Sequence, residues 1–136
     1  MGDTYAEVGY GALEIGLGRR PAVLVVDLQV AFTDPKYALG GLPMIHRATE
    51  RTAALLEVAR SRNVPIAACY TAYGSQRDMP LWKIPAVRNE FIYGHPCTAL
   101  DPRISHPSQF EYCKNGPSMF FQTPLITFLV RQQVDT

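Results

Sequence analysis

The apolar run Pro21-Ala22-Val23-Leu24-Val25-Val26, and the carboxylate that ends it, Asp27, constrain this chain more than any other feature. The run is short and rich in β-branched residues, and Gly18-Arg19-Arg20 precedes it. It reads as a strand from about Ala22 to Asp27, covered on both faces as in a parallel sheet. Asp27 then falls at the carboxyl end of that strand, where open α/β sheets form their ligand crevices. A carboxylate is costly to bury there unless it is paired or hydrogen-bonded. Two readings follow: Asp27 is the acid or base of a site, or it caps a loop.

The next elements support an α/β plan. Thr33-Asp34-Pro35-Lys36 and Gly40-Gly41 mark a long loop. A helix then starts at Pro43, a residue suited to a first turn. Ile45, Ala48, Thr52, Leu55, Leu56 and Ala59 recur at three- and four-residue steps and predict its buried face. Arg47, Glu50, Arg51, Glu57 and Arg60 lie mostly on the other face, and Asn63 is the expected stop. Val64 to Tyr70 reads as a second buried strand, with Pro65 near its beginning, where a missing N–H does least harm. Strand, helix and strand with a right-handed crossover make one βαβ unit. No glycine-rich fingerprint follows the first strand, which speaks against dinucleotide binding.

Residues 71–108 show no periodicity. A stretch this long inside a compact domain is functional, or it holds short helices that pattern alone does not place. Tyr70, Tyr73, Trp82, Phe91 and Tyr93 either wall a pocket or pack the loop onto the sheet. Phe110-Glu111-Tyr112-Cys113 reads as a short third strand ended by Lys114, with a turn at Asn115-Gly116-Pro117. Thr123-Pro124 predicts an N-cap and a proline at the first helical position. Leu125, Ile126, Phe128 and Leu129 give that helix an apolar face to about Gln132. Val134-Asp135-Thr136 has the character of an opening strand.

With 136 residues the chain is long enough for one domain and its core. We divide it into an N-terminal arm, 1–19, which packs on the domain or on a neighbour, and a domain over 20–136. A net charge of +1 with no basic stripe gives no nucleic-acid footprint. No apolar run is long enough to span a membrane. The N-terminus lacks a secretory pattern, so a cytoplasmic location is expected. Cys69, Cys97 and Cys113 are odd in number and form no CxxC, which indicates neither a disulfide framework nor a zinc site. His46, His95 and His106 have no metal-ligand spacing.

Three stretches occur in a telling order: Val25-Val26-Asp27-Leu28-Gln29-Val30-Ala31-Phe32, Leu100-Asp101-Pro102-Arg103, and Cys113 to Leu125 with Lys114 second. Together they resemble the isochorismatase-like cysteine hydrolases over nearly all of residues 18–136. The resemblance implies a Rossmann-like α/β fold, a three-layer αβα arrangement around a parallel sheet. Residues 20–136 would supply its N-terminal part. The family sheet has six strands with the first in the middle, so here the strand carrying Asp27 would be an exposed apolar edge. The chain is therefore expected to be a piece of a longer polypeptide or to be completed by another chain.

The family uses an Asp, a Lys and a Cys. The first two map onto Asp27 and Lys114; the Cys would lie beyond residue 136, leaving 1–136 alone inactive. Cys113 does not substitute, because neighbouring side chains on a strand face opposite ways. A plainer reading makes Asp27 and Lys114 an ion pair that only fixes strand ends. Nicotinamidases of this family carry metal-binding histidines after the second strand. Tyr70 to Asp78 holds none, so neither a metal nor another cofactor is expected. The loop Met79-Pro80-Leu81-Trp82-Lys83 is more similar to those of N-carbamoylsarcosine amidase and maleamate amidase, which act on small carboxylated amides. Arg77, Lys83 and Arg88 are candidate carboxylate partners. Gln29, Phe32 and Trp82 are candidates for lining the pocket. The implied partners are a small amide substrate and further copies of the chain, as a dimer or tetramer, without nucleic acid or membrane. The alternatives are a nicotinamidase-like or isochorismatase-like hydrolase, or an inactive domain used in binding or assembly.

Overall fold

The computed structural model describes residues 4–14 and 16–136. Residues 1–3 and 15 of the expected arm lie outside them. Three parallel strands, β1 (Val23–Val26), β2 (Ile66–Thr71) and β3 (Phe110–Lys114), form one sheet in the order β1-β2-β3. The register runs from Val23 opposite Ile66 to Val26 opposite Cys69, and from Ala67 opposite Phe110 to Thr71 opposite Lys114. The helices are α1 (Thr4–Glu7), α2 (Val30–Thr33), α3 (Pro43–Ser61), α4 (Pro85–Glu90) and α5 (Leu125–Arg131), with a 3-10 turn at Pro96–Thr98.

Alternation along β2 builds the layers. Ile66 and Ala68 pack with Val25, Leu56 and Ala59 on the α3 side. Ala67 and Cys69 turn the other way, against Tyr112, Leu125 and the α5 residues Phe128 and Leu129. The result is the expected three-layer αβα arrangement, with α3 and α5 on opposite faces.

β1 stops one residue before its expected end. Asp27 takes a left-handed φ of 56°, which turns the chain out of the ladder. Among the described residues β1 also has a strand on one side only, and Val26 is 45% exposed, so this strand is not covered on both faces. On its free side, Asp135 donates its N–H to the Arg20 carbonyl at 3.0 Å, and Ala22 donates to that of Thr136 at 2.9 Å. Gly18, at φ 65°, leaves room beside Asp135 and Thr136 that a Cβ would fill. The Asp135 carboxylate there accepts from the N–H groups of Arg19 and Arg20.

α3 begins at Pro43 as expected, and Asn63, at φ 54°, follows its C-cap Arg62. Its buried residues are Thr49, Leu56 and Ala59, whereas Ala48 and Leu55 face outward. The expected stripe is thus rotated. Thr49 can go inside because its hydroxyl donates to the Ile45 carbonyl at 2.8 Å, within the helix itself. α5 starts one residue later than expected: Pro124 is the cap, and the Thr123 hydroxyl accepts from the Leu125 N–H at 3.4 Å. Val8, Tyr10, Leu13 and Leu17 of the arm remain exposed, so their side chains do not pack on this domain.

The irregular stretch contains α4 and the 3-10 turn. Its residues form a second core with those that follow β1: Ala31, Tyr73, Val87, Phe91 and Cys97, flanked by Phe32 and Trp82. Among the described residues, no helix is long and apolar enough to cross a membrane.

Candidate active site

Asp27 and Lys114 leave strands that are not neighbours. Two inter-strand steps separate them, about 10 Å in all. An ion pair can therefore form only if the longer side chain crosses the end of β2. Lys114 does so: its Nζ reaches Asp27 Oδ2 at 2.9 Å. The lysine side chain is 4% exposed and the aspartate 31%. Nζ also donates to the Gly116 carbonyl at 3.2 Å. The ammonium has three N–H donors, and the third has no acceptor among the described residues. The other Asp27 oxygen, Oδ1, accepts from the Thr71 hydroxyl at 3.2 Å. Thr71 stands at the end of β2, opposite Lys114.

The Asp27 N–H still bonds to the Cys69 carbonyl at 3.0 Å, the last β1 donation to β2. Beyond it the ladder is continued by a side chain. Gln29 is fully buried, and its Oε1 accepts from the Thr71 N–H at 2.8 Å. Its Nε2 donates to the Thr71 carbonyl at 3.0 Å and to that of Thr98 at 2.8 Å. An amide side chain carries the same donor and acceptor as the backbone it replaces. Gln29 thus belongs to the framework behind the ion pair rather than to an open pocket wall, which corrects the sequence expectation.

The other candidates lie in the loops. Phe32 is half-buried, its ring centroid 5.7 Å from that of Phe91. Trp82 donates its indole N–H to the Tyr73 hydroxyl at 2.9 Å, and Tyr73 is fully buried. These aromatics pack the loops onto one another. Arg77 is exposed on a turn that Asp78 closes by accepting from the N–H groups of Gly74 and Ser75. Neither Arg77 nor Lys83 nor Arg88 takes part in the hydrogen bonds around Asp27 and Lys114. A cleft of about 380 Å³, lined by Pro80, Asn115, Gly116, Ser118, Phe121 and Gln122, lies beside the carbonyl that Lys114 holds.

None of the three thiols is placed to react there. Cys113 points to the face opposite Lys114, with Sγ 3.5 Å from the Ala72 carbonyl and accepting from the Tyr93 hydroxyl. Burial pushes the Cys97 thiol up to about 11, and its Sγ sits 3.3 Å from the Glu90 carbonyl. Cys69 shares the Thr71 face but is fully buried, and burial holds its thiol protonated above the ordinary range. A carboxylate fixed by an ammonium and a hydroxyl at a sheet rim is suited to exchanging a proton with a third group. The ammonium beside it can steady a developing anion. Thr71 is the member that sequence reasoning missed. The signal for it was present, a hydroxyl residue closing the strand that runs between the two charged ones.

The Leu100-Asp101-Pro102-Arg103 stretch works at a distance. Asp101 donates its N–H to the Leu28 carbonyl, and its carboxylate takes a two-point grip from Arg103, at 2.8 Å on each oxygen. It fastens the loop that leaves Asp27. Among the described residues, no three His, Cys, Asp or Glu side chains come together as a metal-binding group.

Comparison with known proteins gives a consistent picture. The family model described as the isochorismatase domain matches residues 21–136. Maleamate amidohydrolase of Pseudomonas putida is 30% identical over an alignment covering 94% of this chain and 62% of that protein. An N-carbamoylsarcosine amidase from Arthrobacter is 33% identical, with 97% of this chain and 52% of that protein covered. This chain therefore spans between half and two thirds of the length of those relatives. A cysteine hydrolase from Pseudomonas syringae superposes with a TM-score of 0.77 at 25% identity, over 90% of this chain and 62% of that one. An N-carbamoylsarcosine amidase from Thermoplasma acidophilum gives 0.73 at 19% identity, a likeness of fold, over 87% and 65%.

Proposed function

The chain belongs to the isochorismatase family of hydrolases, and we propose that it carries the acid–base half of a cysteine-dependent amidohydrolase. The substrate is a small, linear, carboxylated amide of the N-carbamoylsarcosine or maleamate kind. The observation that carries this reading is the contact of 2.9 Å between Lys114 Nζ and Asp27 Oδ2 at the carboxyl rim of the sheet.

In this reading the nucleophile is a cysteine outside residues 1–136. A thiol attacks poorly until it is deprotonated. Asp27 takes its proton, and the Lys114 ammonium favours the thiolate and then the negative charge that grows on the substrate oxygen. The sulfur adds to the amide carbonyl, with backbone N–H groups steadying the oxyanion. The C–N bond breaks, and the leaving ammonia receives the proton from Asp27. Water then hydrolyses the thioester, with Asp27 again as base.

The test uses the full-length polypeptide and measures ammonia released from N-carbamoylsarcosine, maleamate and nicotinamide. Turnover of either of the first two is expected; turnover of nicotinamide alone, or of none, overturns the substrate assignment. Alkylation with mass mapping should place the reactive thiol outside residues 1–136. Asp27→Asn should lower kcat by about 10²–10⁴-fold with the fold intact, and residues 1–136 alone should be inactive. Retained turnover in Asp27→Asn rules out the proton-transfer role.

A further inference from the structure

We propose that Thr71 is a positioning residue for the Asp27 carboxylate, held in place by the buried amide of Gln29. The proposal deepens the function proposed above and rests on it for its kinetic consequence.

Asp27 stands at φ 56°, a conformation that non-glycine side chains adopt rarely and that persists when its surroundings over-determine it. Leaving the strand turns the carboxylate toward the end of β2, and it also takes the β1 backbone away from Thr71. The Thr71 N–H and carbonyl, next in line after the Asp27-to-Cys69 bond, are then without a strand partner on that side. Gln29 supplies both partners from its side chain, at 2.8 and 3.0 Å, and anchors itself to the Thr98 carbonyl at 2.8 Å. Buried backbone groups without partners are rare because they are costly, so the departure of Asp27 and the insertion of Gln29 require each other.

The consequence falls on one hydroxyl. With its N–H and carbonyl fixed on the β1 side and its register fixed against Lys114, Thr71 has little freedom. Its Oγ1 donates to Asp27 Oδ1 at 3.2 Å, while Lys114 holds Oδ2. Two donors from two different strands grip the two oxygens and so set the plane of the carboxylate. Lys114 alone would fix its distance and leave it to rotate. A base that must face an incoming thiol gains from that second grip, because small misalignments of reacting groups cost rate steeply.

The experiment compares Thr71→Val, which keeps the shape and removes the donor, with Thr71→Ser, which keeps the donor. In the full-length enzyme we expect Thr71→Val to lower kcat by about 10- to 100-fold with KM within about twofold. Thr71→Ser should recover most of that loss. Equal kcat in wild type and Thr71→Val, or an equal fall in both variants, overturns the proposal. Crystal structures of the same variants read the geometry without substrate. The Asp27 carboxylate should rotate in Thr71→Val and stay in Thr71→Ser; an unmoved carboxylate in Thr71→Val also overturns it. If the wild type turns over none of the amides while the carboxylate behaves as expected, the substrate reading fails and the positioning role stands.

Discussion

Gln29 shows how one residue can do the work of a strand. Its amide pairs with three buried backbone groups, the Thr71 N–H and the carbonyls of Thr71 and Thr98. Gln29→Leu keeps the volume roughly and strands all three. At about 1 kcal/mol or more for each unmet group, the variant should lose about 3 kcal/mol, read as a lower urea midpoint at unchanged slope. A variant as stable as wild type would mean that these groups find other partners. Strain at the surface should behave in the opposite way. Gln122 sits exposed at φ 54° and lines the cleft beside Lys114. Glycine adopts that conformation freely. Gln122→Gly should therefore stabilise by up to about 1 kcal/mol, less whatever entropy the unfolded glycine gains. Thermal melting checks this, and a fall in Tm would show that the glutamine side chain makes contacts worth more than its strain.

At the scale of elements, the loop after β1 is tied down by Asp101. Its carboxylate receives both arms of the Arg103 guanidinium and the Arg103 N–H as well. The Arg103 guanidinium beside it holds the Asp101 carboxyl down to about 2. The sign follows from linkage. The folded state binds the Asp101 proton more weakly than the unfolded state does. The stabilisation is therefore present above about pH 4 and is lost as pH falls toward 2. It amounts to about 1–2 kcal/mol once the partial exposure of Arg103 is allowed for. Urea unfolding at pH 5 and at pH 2.5 should show wild type losing more stability than Asp101→Asn over that interval. Parallel losses would remove the linkage.

The same scale explains what could be read in advance. Both ends of α3 were legible, because Pro43 and Asn63 act through their own backbone preferences. Its buried face was not, because Thr49 hides its hydroxyl on Ile45 and a polar residue takes an inward place. α4 and the 3-10 turn are too short for periodicity to accumulate. The meeting of Asp27 with Lys114 was expected from the family resemblance and from both residues standing at strand ends. The roles of Gln29 and Thr71 were hidden, since they follow from the left-handed turn at Asp27, which no spacing records.

For the whole molecule, the two sides of the sheet order are unequal in consequence. β2 is covered on both faces and both edges, while among the described residues β1 has no strand on its other edge. Val23 and Asp27 donate to β2, so the intervening Leu24 and Val26 turn their backbone groups outward. Beside that edge Phe120 is 45% exposed, and on α5, which also reaches the edge through Leu129, Ile126 and Val130 are 52% and 70% exposed. An apolar groove runs between Ala22, Leu24, Phe120, Leu129 and Val134. A free parallel edge flanked by exposed apolar side chains is the feature that drives strand-to-strand association. Residues 1–136 produced alone should accordingly associate as concentration rises, seen as growing sedimentation coefficients in the micromolar range. The double variant Val26→Lys with Ile126→Lys places like charges on that surface without touching the buried core. It should hold the protein at the monomer while the far-ultraviolet circular dichroism stays unchanged. Association that persists undiminished in the double variant would place the contact elsewhere, with the exposed Tyr10, Leu13 and Leu17 of the arm the next surface to alter.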